Sequence, residues 1–263
     1  MNEWTLIIDR LPLSGSLNMA IDDYLFRSLS EKSQTYLRFY TWERPTVSLG
    51  YSQSVEKVVD IKYCRMHGID IVRRMTGGKL VLHHKEVTYS LCSSDRKTFT
   101  SKLAESYRLI SEALIQGLKK MELKPYLADA PPNHYTRGNL PCFSYPAKNE
   151  IEVDGKKIIG SAQKRIGSRF IQHGSIPLEE NEEYLEAVSF LGGNKGMVRM
   201  ISLSQALQRK VDFNWAVNRF IEGISEFFQV TWIYKVFNDK EKKEIQKIEK
   251  ERYANDDWTF QKK

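Results

Sequence analysis

One apolar stripe constrains this chain more than any other feature. Leu103, Tyr107, Ile110, Leu114, Leu118 and Met121 recur every three or four residues across 101–121, and the pattern stops before Pro125. That spacing predicts one long amphipathic helix. A helix with a single apolar face must lie against another layer. The partner layer is legible on both sides of it. Residues 4–9, 36–42 and 46–51 read as strands, the second alternating and rich in aromatics. Ser14-Gly15-Ser16 opens a further helix that carries Leu17, Ile21, Tyr24, Leu25 and Leu29, and residues 60–67 predict a short one ended by Gly68. Residues 69–74 run into a turn at Thr76-Gly77-Gly78, and 79–92 leave it as extended chain. Residues 149–160 alternate about Asp154-Gly155 and read as a hairpin. Residues 169–178 form another strand.

After Pro177 the character changes. Ser202-x-x-Gln205 has the form of a capping box, and Asp212 is placed to cap a helix bearing Phe213, Val217, Phe220, Ile221, Ile224 and Phe228. Residues 239–253 read as a charged helix. The expected fold class is α+β, a mixed α and β body over about 1–180 followed by a helical C-terminal extension over about 181–263. The whole of 1–263 is read as a single domain.

Length and composition bound the function classes. A chain of 263 residues with 41% apolar content can bury a full core without covalent staples. No apolar run approaches the ~20 residues of a membrane span, so no membrane association is expected. The start, with Glu3 and no basic segment before an apolar one, reads as a cytoplasmic protein. Cys64, Cys92 and Cys142 are too few and scattered for a disulfide framework or a closed zinc site, so no metal is expected. The net charge of +7 attracts polyanions or acidic proteins, although on charge alone ordinary solubility is the better reading.

Four segments are able to carry chemistry. In Arg73-Arg74-Met75-Thr76-Gly77-Gly78-Lys79, two glycines let backbone N–H groups approach a ligand, and the three cations add positive charge. It matches neither a Walker loop nor a dinucleotide fingerprint. In Val81-Leu82-His83-His84, strand alternation turns one imidazole toward a cleft and the other toward solvent, which disfavours a chelating pair. Across the Asp154-Gly155 turn, Lys157 falls opposite Glu152. A surface ion pair is the simpler reading, and a buried working lysine is the alternative. Cys142 lies in an irregular stretch (128–147) with four prolines. A neighbouring cation would favour its thiolate.

Together these segments resemble the biotin/lipoate protein ligase and lipoyl transferase superfamily. The resemblance is carried by 73–83 with 86–90, by 157–163, by 172–176 and by Asn18-Met19-Ala20-Ile21-Asp22, in that family's order, and Arg252-Tyr253 with Trp258-Thr259 is similar to its closing motif. It implies a mixed sheet flanked by helices, of the class II biotin/lipoyl synthetase kind, with an acyl chain in a tunnel beside the Gly-Gly loop. It also implies substrate contacts from Arg73, Arg74, Thr76, Gly77, Gly78, Lys79, His83, Gly160, Ser161, Ala162, His173 and Gly174. Lys157 would contact the acyl carbonyl.

Cys142-Phe143-Ser144-Tyr145-Pro146 resembles the cysteine-dependent octanoyltransferases and their amidotransferase relatives. That likeness implies that Cys142 takes octanoate from acyl carrier protein as a thioester. A lipoyl-domain lysine, such as that of the glycine cleavage H protein, then accepts it. Lys157 would assist the thiol. A proton shuttle by His83 or by His173 is left open. No cofactor is implied unless the chain is an ATP- and Mg-dependent ligase, and Lys79 stands where ligases usually carry a third glycine. An amidotransferase acting between lipoyl domains shares the same thioester chemistry, and a binding module could keep the fold without any chemistry. The expected state is a monomer that binds no nucleic acid.

Overall fold

The computed structural model describes residues 2–30, 32–128, 149–190 and 200–261. Strand β1 (Asn2–Ile8) leads into α1 (Gly15–Ser28), whose first turn is closed where the Leu17 N–H donates to the Ser14 hydroxyl. There follow β2 (Thr35–Tyr40), β3 (Thr46–Leu49), the short α2 (Val55–Val58) and α3 (Ile61–Met66), capped by the Asp60 carboxylate. Next come β4 (Asp70–Arg73), β5 (Val81–His83), β6 (Glu86–Ser93), the long α4 (Leu103–Lys119) and β7 (Tyr126–Leu127). Strands β8 (Ile151–Val153), β9 (Lys156–Ile166) and β10 (Arg169–Pro177) form a meander. The remainder is α5 (Glu182–Val188), α6 (Leu203–Leu207), α7 (Phe213–Phe228), β11 (Val230–Tyr234), α8 (Asp239–Ile248), a π-helical turn (Glu249–Tyr253) and α9 (Asp256–Thr259).

Among the described residues, eight strands form one mixed sheet in the order β11-β1-β2-β6-β10-β9-β8-β7, and β4-β3-β5 form a smaller one. The expected mixed sheet flanked by helices is therefore what the chain adopts. Helices α4 and α7 cover one face of the large sheet, with Leu114, Leu118, Phe220 and Ile224 packed on Leu37, Phe39 and Leu91. Helix α1 and the C-terminal helices cover the other, around Ile21, Leu25, Tyr40 and Ile245. The small sheet has its own core with α2, α3 and α5. Glycines let α4 and α7 approach closely. A Cβ on Gly223 of α7 would stand 2.2 Å from the Gly117 nitrogen of α4.

Two expectations are corrected. The extended chain over 79–92 is two strands, because Lys85 turns in the left-handed region (φ 48°) and carries the backbone from the small sheet to the large one. The C-terminal part is not only helical. β11 joins the large sheet as an edge strand parallel to β1, with Trp4 opposite Trp232. Its sequence, Val-Thr-Trp-Ile-Tyr, carries the β-branched and aromatic signal, but five residues between capped helices leave that signal short. The capping box at Ser202 and Gln205 and the Asp212 cap form as expected.

Candidate active site

The Gly-Gly loop hangs between the two sheets and is pinned from below. The Arg74 N–H donates to the Leu49 carbonyl, and the Tyr51 N–H to that of Thr76 (2.8 Å). Gly50 makes the crossing possible, since a Cβ there would lie 2.0 Å from the Gly78 oxygen. Gly78 itself sits at φ 88°. The Arg74 guanidinium spans the loop, donating to the carbonyls of Ser48, Gly77 and Lys79 at 2.9, 2.9 and 2.7 Å. Arg73 corrects the expectation of a ligand-facing cation. Its fully buried head donates to the carbonyls of Gly50, Tyr51, Gln53, Trp258 and Thr259, and so ties the loop's base to the C-terminus. Burial pulls its pKa below the ordinary arginine value.

Between this loop and strands β9 and β10 lies a narrow, half-enclosed cavity of about 20 Å³, room for roughly one water-sized sphere. Met19, Tyr40, Trp42 and Val81 supply apolar walls, and Gly160, Ser161 and Ala162 of β9 form the opposite side. Gly174 must be bare. A Cβ there would meet Ser161 Oγ and Tyr89 Cε1, each at 2.6 Å. Of the residues read from sequence, Arg74, His83, Gly160, Ser161, Ala162, His173 and Gly174 line this space. Thr76 joins through its hydroxyl, 2.7 Å from His173 Nε2, while Gly77 and Gly78 are exposed and Lys79 is half-buried beside them.

Two buried carboxylates organise the polar side of the cavity. Asp22, on the inner face of α1, accepts from Arg38 (2.9 Å), Tyr40 (3.1 Å), Ser90 (2.7 Å) and His173 Nδ1 (3.1 Å). Burial alone would raise its pKa. The His173 hydrogen bond and the Arg38 charge outweigh that and hold it below the usual carboxylate range. Burial pushes His173 below the ordinary imidazole value despite its bond to Asp22, so the ring stays neutral. Arg38 is itself clamped by Asp9 and Asn18. The second carboxylate, Glu86, accepts from His83 Nδ1 at 2.7 Å, from Ser175 at 2.6 Å and from Thr88. Its partner ring stacks on Trp42 with centroids 4.0 Å apart. His84 lies past the end of β5, half-buried outside the cavity and in an edge contact with Tyr184.

Sequence reading had assigned no role to Asp22, Arg38, Ser48 or Glu86. The available signal was weak but real. An acid on the apolar side of an amphipathic helix, as Asp22 is on α1, must find buried donors.

The Asp154-Gly155 turn has both residues at positive φ (51° and 72°), and it sets Glu152 opposite Lys157 as read from sequence. The expected surface pair does not form. The Lys157 side chain is fully buried and its ammonium donates to Glu150 at 2.7 Å. A buried cation of this kind requires a carboxylate partner. Lys157 does not line the cavity, although its strand does three residues on. Cys142 lies outside the described residues, so its distance from Lys157 is not part of this geometry. Among the described residues no three His, Cys, Asp or Glu side chains gather into a group able to hold a metal ion. No helix among them is long and apolar enough to cross a membrane.

The family model for the lipoyl protein ligase A/B catalytic domain matches residues 14–225. The chain belongs to that family. Within it, the chain is 34% identical to a protein of Carboxydothermus hydrogenoformans named Octanoyltransferase LipM, over 99% of both chains. It is also 34% identical to the LipM of Bacillus cereus, over 95% of both. Among solved structures, a T. acidophilum lipoate protein ligase with bound lipoic acid superposes with a TM-score of 0.83. It covers 98% of this chain and 99% of its own at 22% identity, a likeness of fold. The family match begins at the Ser14 cap of α1 and ends within α7, so it takes in both carboxylates and the Gly-Gly loop.

Proposed function

We propose that this protein is an octanoyltransferase of lipoate biosynthesis, acting in the cytoplasm. It moves an octanoyl group from acyl carrier protein to the lysine of a lipoyl domain such as the glycine cleavage H protein. The observation that carries the reading is the near full-length likeness to octanoyltransferases, joined to an apolar-walled cavity under the Gly-Gly loop. Cys142 is the acyl carrier. Its sulfur displaces the carrier-protein thiol to form a thioester, and the acceptor amine then attacks that carbonyl. A covalent intermediate divides a transfer between two bulky proteins into two half-reactions, each with one partner docked. Lys157 is the fixed positive charge of this scheme, held as an ammonium by Glu150, and it favours the thiolate and then the developing oxyanion. No cofactor takes part.

The test is intact mass after incubation with octanoyl-acyl carrier protein, with and without ATP. A hydroxylamine-labile octanoyl adduct that forms without ATP and is lost in Cys142→Ala is the expected result. No adduct, or one that persists in that variant, refutes the thioester. Activation of free octanoate or lipoate at the expense of ATP, undiminished in Cys142→Ser, would instead assign a ligase. A donor preference for octanoylated H protein over carrier protein would assign an amidotransferase.

A further inference from the structure

One constellation in the cavity is given no step in the cysteine scheme proposed above. Ser48 Oγ stands 2.7 Å from His83 Nε2, and His83 Nδ1 stands 2.7 Å from Glu86 Oε1. Glu86 is almost wholly buried and receives two hydroxyl donors besides the imidazole. The carboxylate therefore holds the proton on Nδ1 and leaves the Nε2 lone pair facing the Ser48 hydroxyl. Stacking on Trp42, whose own Nε1 donates to Thr88 at 2.7 Å, keeps the ring from turning. A hydroxyl within reach of a base that is oriented by an acid is the arrangement that activates a nucleophile. Arg74 Nη1 donates to the same Ser48 oxygen at 3.1 Å, a positive charge that favours loss of the hydroxyl proton to His83. Ser48, His83 and Arg74 all line the apolar-walled cavity.

We infer that Ser48 is an acyl-accepting nucleophile in its own right, and that the cavity hydrolyses medium-chain acyl esters and thioesters. As Ser48 Oγ bonds to the acyl carbon, its proton passes to His83 Nε2. The ester C–O or thioester C–S bond breaks, and the departing alcohol or thiol takes that proton. Water then attacks the acyl-serine and gives a proton to His83. The bond to Ser48 breaks, the carboxylic acid leaves, and the serine hydroxyl is restored from His83. His83 is the base, and Glu86 is a positioning residue that acts through it.

The experiment uses the full chain carrying Cys142→Ala, so that a cysteine thioester contributes nothing. p-Nitrophenyl octanoate is the substrate and an octyl fluorophosphonate the covalent probe. The expected results are a single phosphonyl mass on the Ser48 peptide and hydrolysis at least ~100-fold slower in Ser48→Ala and His83→Gln, the usual scale for losing acid–base assistance. Glu86→Gln should lower kcat for p-nitrophenyl octanoate with KM little changed, because the imidazole loses the group that orients it, whereas a merely structural role would move both. Absence of label on Ser48, absence of hydrolysis, or hydrolysis undiminished in Ser48→Ala overturns the inference. The labelling arm needs no Ser48 variant to fold. It is also independent of the octanoyl-carrier-protein assay, so either reading can fail alone.

Discussion

Replacing Gly50 by alanine tests whether the position of the Gly-Gly loop governs the chemistry. The added Cβ would lie 2.0 Å from the Gly78 oxygen and 2.9 Å from its carbonyl carbon, both backbone atoms that cannot rotate aside. Opening the oxygen contact to an ordinary 3.4 Å displaces the loop by about 1.4 Å. The loop does not move freely, because Arg74 holds the Gly77 and Lys79 carbonyls and Tyr51 holds that of Thr76. Overpacking of this kind costs about 1–3 kcal/mol, and an ångström of misplacement in a reacting group costs on the order of a hundredfold in rate. Gly50→Ala should therefore lose roughly 1–3 kcal/mol in urea unfolding. It should also slow single-turnover octanoyl transfer on the order of a hundredfold at saturating donor. A variant that transfers at the wild-type rate would show that the loop's placement is not what positions the acyl group.

Three further outcomes follow from the buried groups. Asp22→Asn keeps the shape but removes the charge opposing Arg38 and puts a donor where only acceptors fit, so urea unfolding should show a loss of about 3–5 kcal/mol with an unchanged slope. A midpoint close to wild type would contradict the hub role. His173 is held neutral in the fold, so unfolding takes up a proton below the ordinary imidazole range. Stability should fall as pH drops through about 6.5 toward the depressed folded value, and His173→Gln should flatten that limb in a pH series of urea midpoints. Gly223→Ala forces α7 off α4, since the new Cβ meets the Gly117 nitrogen at 2.2 Å. A melting temperature within error of wild type would refute that close packing.

What the linear pattern determined here is local. The stripe on α4, the helix start at Ser14, the Ser202 and Asp212 caps and the Asp154-Gly155 turn each depend on neighbours a few residues away, and each formed where its chemistry pointed. The ordered motifs also placed Arg74, His83, His173 and the 160–162 and 174 positions around one space. What only the tertiary structure decided is which charges are buried together. A side chain's hydration depends on elements far along the chain. Arg73 read as a ligand-facing cation until Trp258 and Thr259 closed over it, 185 and 186 residues away. Lys157 read as a surface partner of Glu152 until the sheet enclosed it and Glu150 took the charge. Asp22 and Glu86 acquired their meaning only when strands β2, β6 and β10 brought donors to them, because a buried carboxylate is held by donors that packing supplies and spacing does not encode.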